Sequence, residues 1–138
     1  MSIRVFVPGQ PAPQGSKRHV GHGIMVESCK QVKPWRSDIR SHLLDAAGQP
    51  LHVFGDAPVH VTLEFVMRRP KSAPKRTTPP AVKKPDLDKL ARAVLDAISS
   101  AGVWGDDSQV VSARLKKRIA LIDEQSGCWI DIHAAVMD

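Results

Sequence analysis

The sequence predicts an α+β domain, with two helices packed on a small mixed or antiparallel sheet in the order β-α-β-α-β-β. Two patterns carry that expectation. In "VHVTLEFVM", Val59, Val61, Leu63, Phe65 and Met67 alternate onto one face, the period of a strand. In "DLDKLARAVLDAISSA", Leu87, Leu90, Ala91, Val94, Leu95 and Ile98 form one stripe at helical spacing. A chain of 138 residues, 42% of them hydrophobic, then suits a single domain over residues 1–138 with one core.

The remaining elements follow in order. Ile3 to Val7 reads as a short buried strand, followed by the Pro/Gly-rich "PGQPAPQGSKR". "HVGHGIMVES" has glycines at 21 and 23 that suit a small hairpin. Trp35, Ile39, Leu43 and Ala46 recur at spacings of three and four, predicting a helix stopped by Gly48 and Pro50. "RRPKSAPKRTTPPAVKKP" holds five prolines and no apolar period, so residues 70–85 read as a basic proline-rich loop. The clearest helix then spans Asp86 to Ala101, with Pro85 before it and Gly102 placed to cap its end. In the next strand Val111, Ala113, Leu115 and Ile119 share one face, leaving Ser112, Arg114, Lys116 and Arg118 outward. Gly127 marks a turn zone, and Trp129 to Val136 reads as the last strand.

Charge is concentrated in one place. The net charge is +6, yet the segment from Arg68 to Arg92 holds nine basic residues against only Asp86 and Asp88. A local excess of this kind points to a polyanion, with nucleic acid ahead of an anionic membrane surface, or else to a solvated loop. Cys29 and Cys128 form no metal-type pair, which fits a reduced, cytoplasmic protein. "MSIRVFVPGQ" does not fit a secretory signal, and no apolar run approaches the roughly 20 residues that span a bilayer.

Taken singly, the acids have structural explanations. Asp86 suits a helix N-cap, and Asp88 the positive end of the helix dipole. Asp96 lies four residues after Arg92, a helix-surface ion pair. Asp106 and Asp107 sit in a glycine-containing turn. Taken together they suggest more. Asp86 and Asp88 could converge at a helix start, and the strand after Asp107 could run back beside them. Crowded carboxylates repel, and a divalent cation removes that conflict. Oxygen-only ligands suit Mg²⁺ or Mn²⁺ rather than Zn²⁺. Metal, acids and a basic flank together suit phosphodiester hydrolysis.

At these residues "PDLDKLARAVLDAISSAGVWGDDSQVV" resembles the core of the RusA-type Holliday junction resolvases. Their pattern is a basic run, D-x-D-N-L, a helix with D-A-L, a glycine, then D-D-x-Q-V. The match runs from about Lys83 to Val111, and the layout fits most of the chain, including the early proline-rich loop. The resemblance implies a homodimeric, Mg²⁺-dependent endonuclease that binds four-way junction DNA and makes paired symmetric nicks. Many relatives are phage- or prophage-borne. It makes Asp86, Asp88 and Asp107 the catalytic metal ligands, with Asp106 matching the first acid of the D-D pair. There are two departures: the family's Asn after the second acid is Lys89 here, and its lysine four residues after that acid is Arg92. Arginine supplies charge but does not readily shuttle a proton, so Arg92 is phosphate-facing and Lys89 is the other catalytic candidate. DNA contacts are expected from Lys17, Arg18, Arg68, Arg69, Lys71, Lys75, Arg76, Lys83 and Lys84, with Arg114, Lys116 and Arg118 as an extension.

Other readings are a different metal nuclease acting on flaps or nicked duplex, a junction-binding protein with impaired catalysis, and a metal–nucleotide transferase. His19, His22 and Cys29 make an incomplete zinc set. Glu64 is either a further acid near the metal or a solvent-facing strand residue. Trp35 fits a buried helix face, and Trp104 and Trp129 suit a core or an interface. There is no phosphate-binding glycine-rich motif and no membrane or small-molecule cofactor signal.

Overall fold

A computed structural model describes residues 2–15, 17–19, 25–27, 30–48 and 52–135, the stretches 17–19 and 25–27 by main chain alone. The strands are β1 (Ser2–Pro8), β2 (Lys17–His19), β3 (Met25–Glu27), β4 (Val59–Met67), β5 (Val110–Ile119) and β6 (Gly127–Ala134). The helices are α1 (Val32–Ala47) and α2 (Leu87–Ala101). The main sheet has the order β1-β6-β4-β5, and β2 with β3 forms a separate antiparallel pair. The predicted order of elements is therefore present, with the hairpin added.

β6 lies between β1 and β4 and is antiparallel to both, whereas β4 and β5 are parallel. The sheet is thus mixed. Its inner face carries Val7, Val61, Leu63, Phe65, Cys128, Ile130 and Ile132, all fully buried. α1 packs on α2 and β1. Trp35, Ile39 and Leu43 of α1 and Leu90, Val94 and Ile98 of α2 fill the space over the sheet. Burial raises the thiol of Cys128 well above its ordinary range, which makes it a small core hydrophobe.

Helix ends follow the sequence closely. The backbone N–H of Gly48 closes α1 on the carbonyl of Leu44. Gly102, in the left-handed region at φ 75°, closes α2 on Ile98 and Ser99. Ala46, expected on the buried face of α1, is exposed; Val32 is buried at the other end instead.

Two strand expectations need correction. Gly127 is not in a turn but is the first residue of β6, paired with Pro8. A Cβ there would stand 2.3 Å from the carbonyl oxygen of Val7, so β1 and β6 approach as only glycine allows. In β5 the two faces alternate as expected, yet Val111, Ala113 and Leu115 are exposed. The reason is position: β5 is the edge strand, and that stretch of it lies beyond the cover of the helices.

The β5–β6 connection is clamped by charge. Arg118 donates two 2.7 Å hydrogen bonds to the Glu124 carboxylate, which also accepts the Leu121 N–H at 2.8 Å. Arg118 chiefly, then Leu121, pushes Glu124 down to about 2 from an ordinary 4.5. A carboxyl with a depressed folded-state pKa contributes stability above its unfolded value and loses it as pH falls toward the folded one. Glu124→Gln should therefore flatten the fall in stability between about pH 4.5 and pH 2, read from urea midpoints at several pH values. Parallel curves for both proteins would rule out the clamp.

Candidate active site

The connection from β4 to β5 builds the site. Parallel strands need a crossover, and here it comprises the basic loop, α2 and the turn before β5. The beginning of α2 is fixed by β5: the Lys117 ammonium donates to the carbonyls of Lys83 at 2.9 Å and Pro85 at 2.8 Å. The end of α2 is fixed by the segment before β4, where the N–H groups of His52 and Phe54 bond the carbonyls of Gly102 and Val103. α2 therefore runs opposite to β4 and β5. Asp86 and Asp88 stand at one end of it and Asp107 at the other.

A helix of 15 residues at 1.5 Å rise spreads those ends by about 20 Å. The expectation that the strand after Asp107 brings its carboxylate back to Asp86 and Asp88 is not met within one chain. Among the described residues no group of three or more His, Cys, Asp or Glu side chains is close enough to hold a metal ion. The cause is strand direction, which the motif spacing does not specify.

A groove joins the two ends. This cavity of about 890 Å³ is lined by Asp88, Arg92, Leu95 and Asp96 from α2, Leu115 from β5, Asp107 from the turn, and Gln14 with Gly15. The four α2 residues share one helix face because they recur every three or four positions. Gly15 permits the proline-rich loop to close over it. A Cβ there would lie 2.7 Å from a terminal nitrogen of Arg92, so the guanidinium rests directly on the glycine. Gln14 anchors the same loop. Its backbone N–H donates to the carbonyl of Lys89 at 3.0 Å, and its side chain donates to Asp96 and accepts from Arg36 at 2.6 Å. Asp96 is thus occupied by Gln14, and the expected Arg92–Asp96 ion pair does not form among the described contacts.

Asp86 is the N-cap of α2 but makes no side-chain capping bond. It lies 3.7 Å from the Lys89 ammonium, with both side chains about half exposed. An ion pair this exposed leaves the Asp86 carboxylate accessible to a ligand.

The D-D-x-Q turn divides its labour. Asp106 caps the 3-10 turn Asp107–Gln109: its carboxylate accepts the Ser108 N–H at 3.0 Å, and bonds from Ser108 hold it below the ordinary carboxylate range. The Gln109 carbonyl accepts the N–H groups of Gly105 at 2.7 Å and Asp106 at 3.1 Å. Its amide donates to the carbonyls of Gly55 and Ala57, both at 2.9 Å. Asp107, left outside this network, lines the groove.

The basic loop is also divided. Arg69 is turned inward, donating to Thr78, to the carbonyls of Ala120 and Thr77, and to that of Pro74. It binds the loop to itself. Arg68, Lys71, Lys75, Arg76, Lys83 and Lys84 are exposed. Lys17 and Arg18 fall in β2, and their side chains lie outside the described residues, as do those of His19, His22 and Cys29. Arg118 is held by Glu124 and Glu64, which takes it out of the open basic surface; Arg114 and Lys116 stay exposed. Glu64 itself is on the outer face of the sheet with Arg118 and Lys116, away from the groove. Trp104 is buried, donating to Ser99 at 2.7 Å, whereas Trp129 is 40% exposed between Phe6 and Arg4.

Lys117, Gln14 and Gln109 position the site and were not singled out from sequence. The signal for Lys117 was present: a lysine at an inward position of an otherwise apolar face.

Fold and site together define a small α+β domain that sets exposed carboxylates beside a cationic loop, the layout of a protein that works on a polyanion. A family model described as Endodeoxyribonuclease RusA matches residues 8–132. The chain belongs to that endodeoxyribonuclease family. No curated protein matches the sequence significantly.

Gln109 makes four bonds in a half-buried position, so Gln109→Leu should lower unfolding free energy by about 1–3 kcal/mol. It should also speed amide exchange at Gly105 and Asp106. Unchanged exchange there would mean that the turn is held by Asp106 alone.

Proposed function

We propose that the protein is a Mg²⁺-dependent endodeoxyribonuclease that resolves four-way junctions by paired nicks, acting as a homodimer in the cytoplasm. The observation that carries this reading is the start of α2. Exposed Asp86 and Asp88 stand there at the end of a cationic loop, in a chain of the RusA family.

The residues fit the ion. Mg²⁺ takes one or two protein carboxylates and completes its shell with water and phosphate oxygens. Asp86 and Asp88 supply that number, and their oxygens are the donor type the ion prefers. When bound, Mg²⁺ supplies charge that stabilises a phosphodiester under attack. The chain supplies the rest. Arg92, resting on Gly15 in the groove, presents a fixed cation to a phosphate. Lys89, beside Asp86, is the ammonium nearest in type to the family's lysine and is suited to proton movement, which a guanidinium is not. The exposed lysines and arginines of the loop attract and align the DNA backbone. No described helix is long and apolar enough to cross a membrane.

The experiment compares a four-way junction with a matched linear duplex, in Mg²⁺ or in EDTA, mapping every cut. Cutting should be confined to the junction and to Mg²⁺. Asp88→Asn should abolish it while junction binding persists, and that binding should weaken linearly in log salt as phosphate contacts release counterions. Equal cutting of both DNAs would replace the resolvase reading with a general or flap nuclease. Binding without cutting would leave a catalytically impaired junction-binding protein.

A further inference from the structure

The proline-rich loop encloses a cavity separate from the groove beside α2. It holds about 490 Å³ between the loop and the ends of β4 and β5, within the range of about 300–1,000 Å³ that small-molecule sites occupy. We infer that this cavity takes the base of one unpaired nucleotide of the DNA, while the cations around it hold the adjoining phosphates. The inference rests on the junction-nuclease reading and names how such a protein tells a junction from a duplex.

The lining fits a base. Met67 and Ile119, register partners at the ends of β4 and β5, supply apolar surface from the sheet. All five prolines of the loop, Pro70, Pro74, Pro79, Pro80 and Pro85, line the cavity as well. Proline rings are rigid and their nitrogens carry no hydrogen, so they offer apolar faces and no unmet donor. A nucleobase has the matching form: apolar above and below, polar only at its edge. For that edge the cavity has Gln10 and Ser72. The Gln10 side-chain oxygen accepts the Arg68 N–H at 3.3 Å, which leaves its amide hydrogens as what it offers a ligand.

The cavity is held ready. Arg69 bonds the loop to the Ala120 carbonyl just past β5, and Lys117 of β5 bonds the carbonyls of Lys83 and Pro85. The loop is thus tied near both of its ends and cannot fold flat without losing these bonds. Val82, 80% exposed, adds a large unburied apolar side chain to the lining. A preformed slot costs little ordering when it is filled.

Charge and position select the ligand. Arg68 begins the loop and Lys83 with Lys84 end it; all three are exposed, and the described lining contains no acid. That is the complement of a group with a phosphate on each side. Pro85 lines the cavity and directly precedes Asp86, so a base held here sets its own phosphodiester beside the start of α2. A base paired and stacked in a duplex cannot enter. Extruding it costs unstacking, and the cost is least where pairing and stacking are already interrupted, as at a branch point.

The test labels the DNA rather than the protein. The fluorescent base 2-aminopurine is placed at each branch-point position of a four-way junction and, as a control, within an arm. The Asp88→Asn protein is added so that the junction stays whole. One branch-point position should brighten severalfold, because the captured base is unstacked and the described lining holds no aromatic ring to quench it. The arm position should not change. An abasic site at the brightened position should weaken binding about fivefold or more, the loss expected when one stacked base is removed. Ala73→Leu fills the cavity from a half-buried loop position. It should abolish the brightening and lower junction affinity by a similar factor, with far less effect on duplex. Brightening at no branch-point position would overturn the inference. So would an Ala73→Leu protein of native stability that brightens the same base and binds junctions as before, which would give the cavity to a protein segment instead. These readouts need binding and not cutting. A protein that binds junctions without cutting them loses the nuclease reading while the cavity is still decided. One that cuts junctions without brightening any base keeps the nuclease reading and loses the cavity.

Discussion

The parallel pairing of β4 with β5 is the constraint on which the rest of the structure depends. Parallel neighbours cannot be joined by a tight turn, so the chain must travel the length of the sheet between them. Loop, helix and turn fill that crossover, and each carries part of the candidate site. The same constraint fixes the direction of α2. Its N-terminus lies where β4 ends, its C-terminus where β5 begins, and the acids before and after it are held apart by its length. A functional unit that is continuous in sequence is thereby stretched along a groove in space.

Within this frame, residues of one chemical type have been given different work. The loop's positive charge reads as one block in sequence, yet Arg69 is spent on its own loop while its neighbours face solvent. Arginine suits that inward role, because a planar fork can serve several carbonyls at once. Asp106 and Asp107 are adjacent, but the first is engaged by Ser108 and the second is left at the groove. In each case one member of the set holds the local backbone while its neighbour stays open to solvent or the groove. Lys117 is the converse. It is a cation that donates to two main-chain carbonyls at the loop end rather than joining the loop's exposed charges.

Much of the fold was legible because burial writes a period into sequence. β4, covered on its inner face and flanked on both sides, alternates from Val59 to Phe65 and breaks the pattern only at the buried Val66, and α2 shows an unbroken stripe. The apolar face of β5 was legible as a face but not as an exposed one, since alternation records the pleat and not what lies over it. Gly127 was misplaced for a related reason. A glycine needed for close approach of two strands looks the same in sequence as a glycine needed for a turn. The site was legible as a set of residue types and not as a place. Spacing along the chain names Asp86, Asp88 and Asp107, but whether they meet depends on whether β5 runs parallel or antiparallel to β4, and no local pattern in either strand states that.

The early proline-rich loop belongs to the same argument. It is distant in sequence from α2, yet Gln14 is tied to the main chain of Lys89 and to Asp96, and Gly15 lies under Arg92. Where the family's pattern has a lysine, this chain has a guanidinium that lies against the glycine. Gly15 is favoured by its own backbone at φ 120°, and its missing side chain also leaves room for the guanidinium. Arg92 thus contacts a residue 77 positions away in the chain, and both line the wall of the groove. In the nuclease proposed above, the planar guanidinium of Arg92 suits presenting charge rather than moving a proton, and the ammonium of Lys89, 3.7 Å from Asp86, is the candidate for a proton-transfer step.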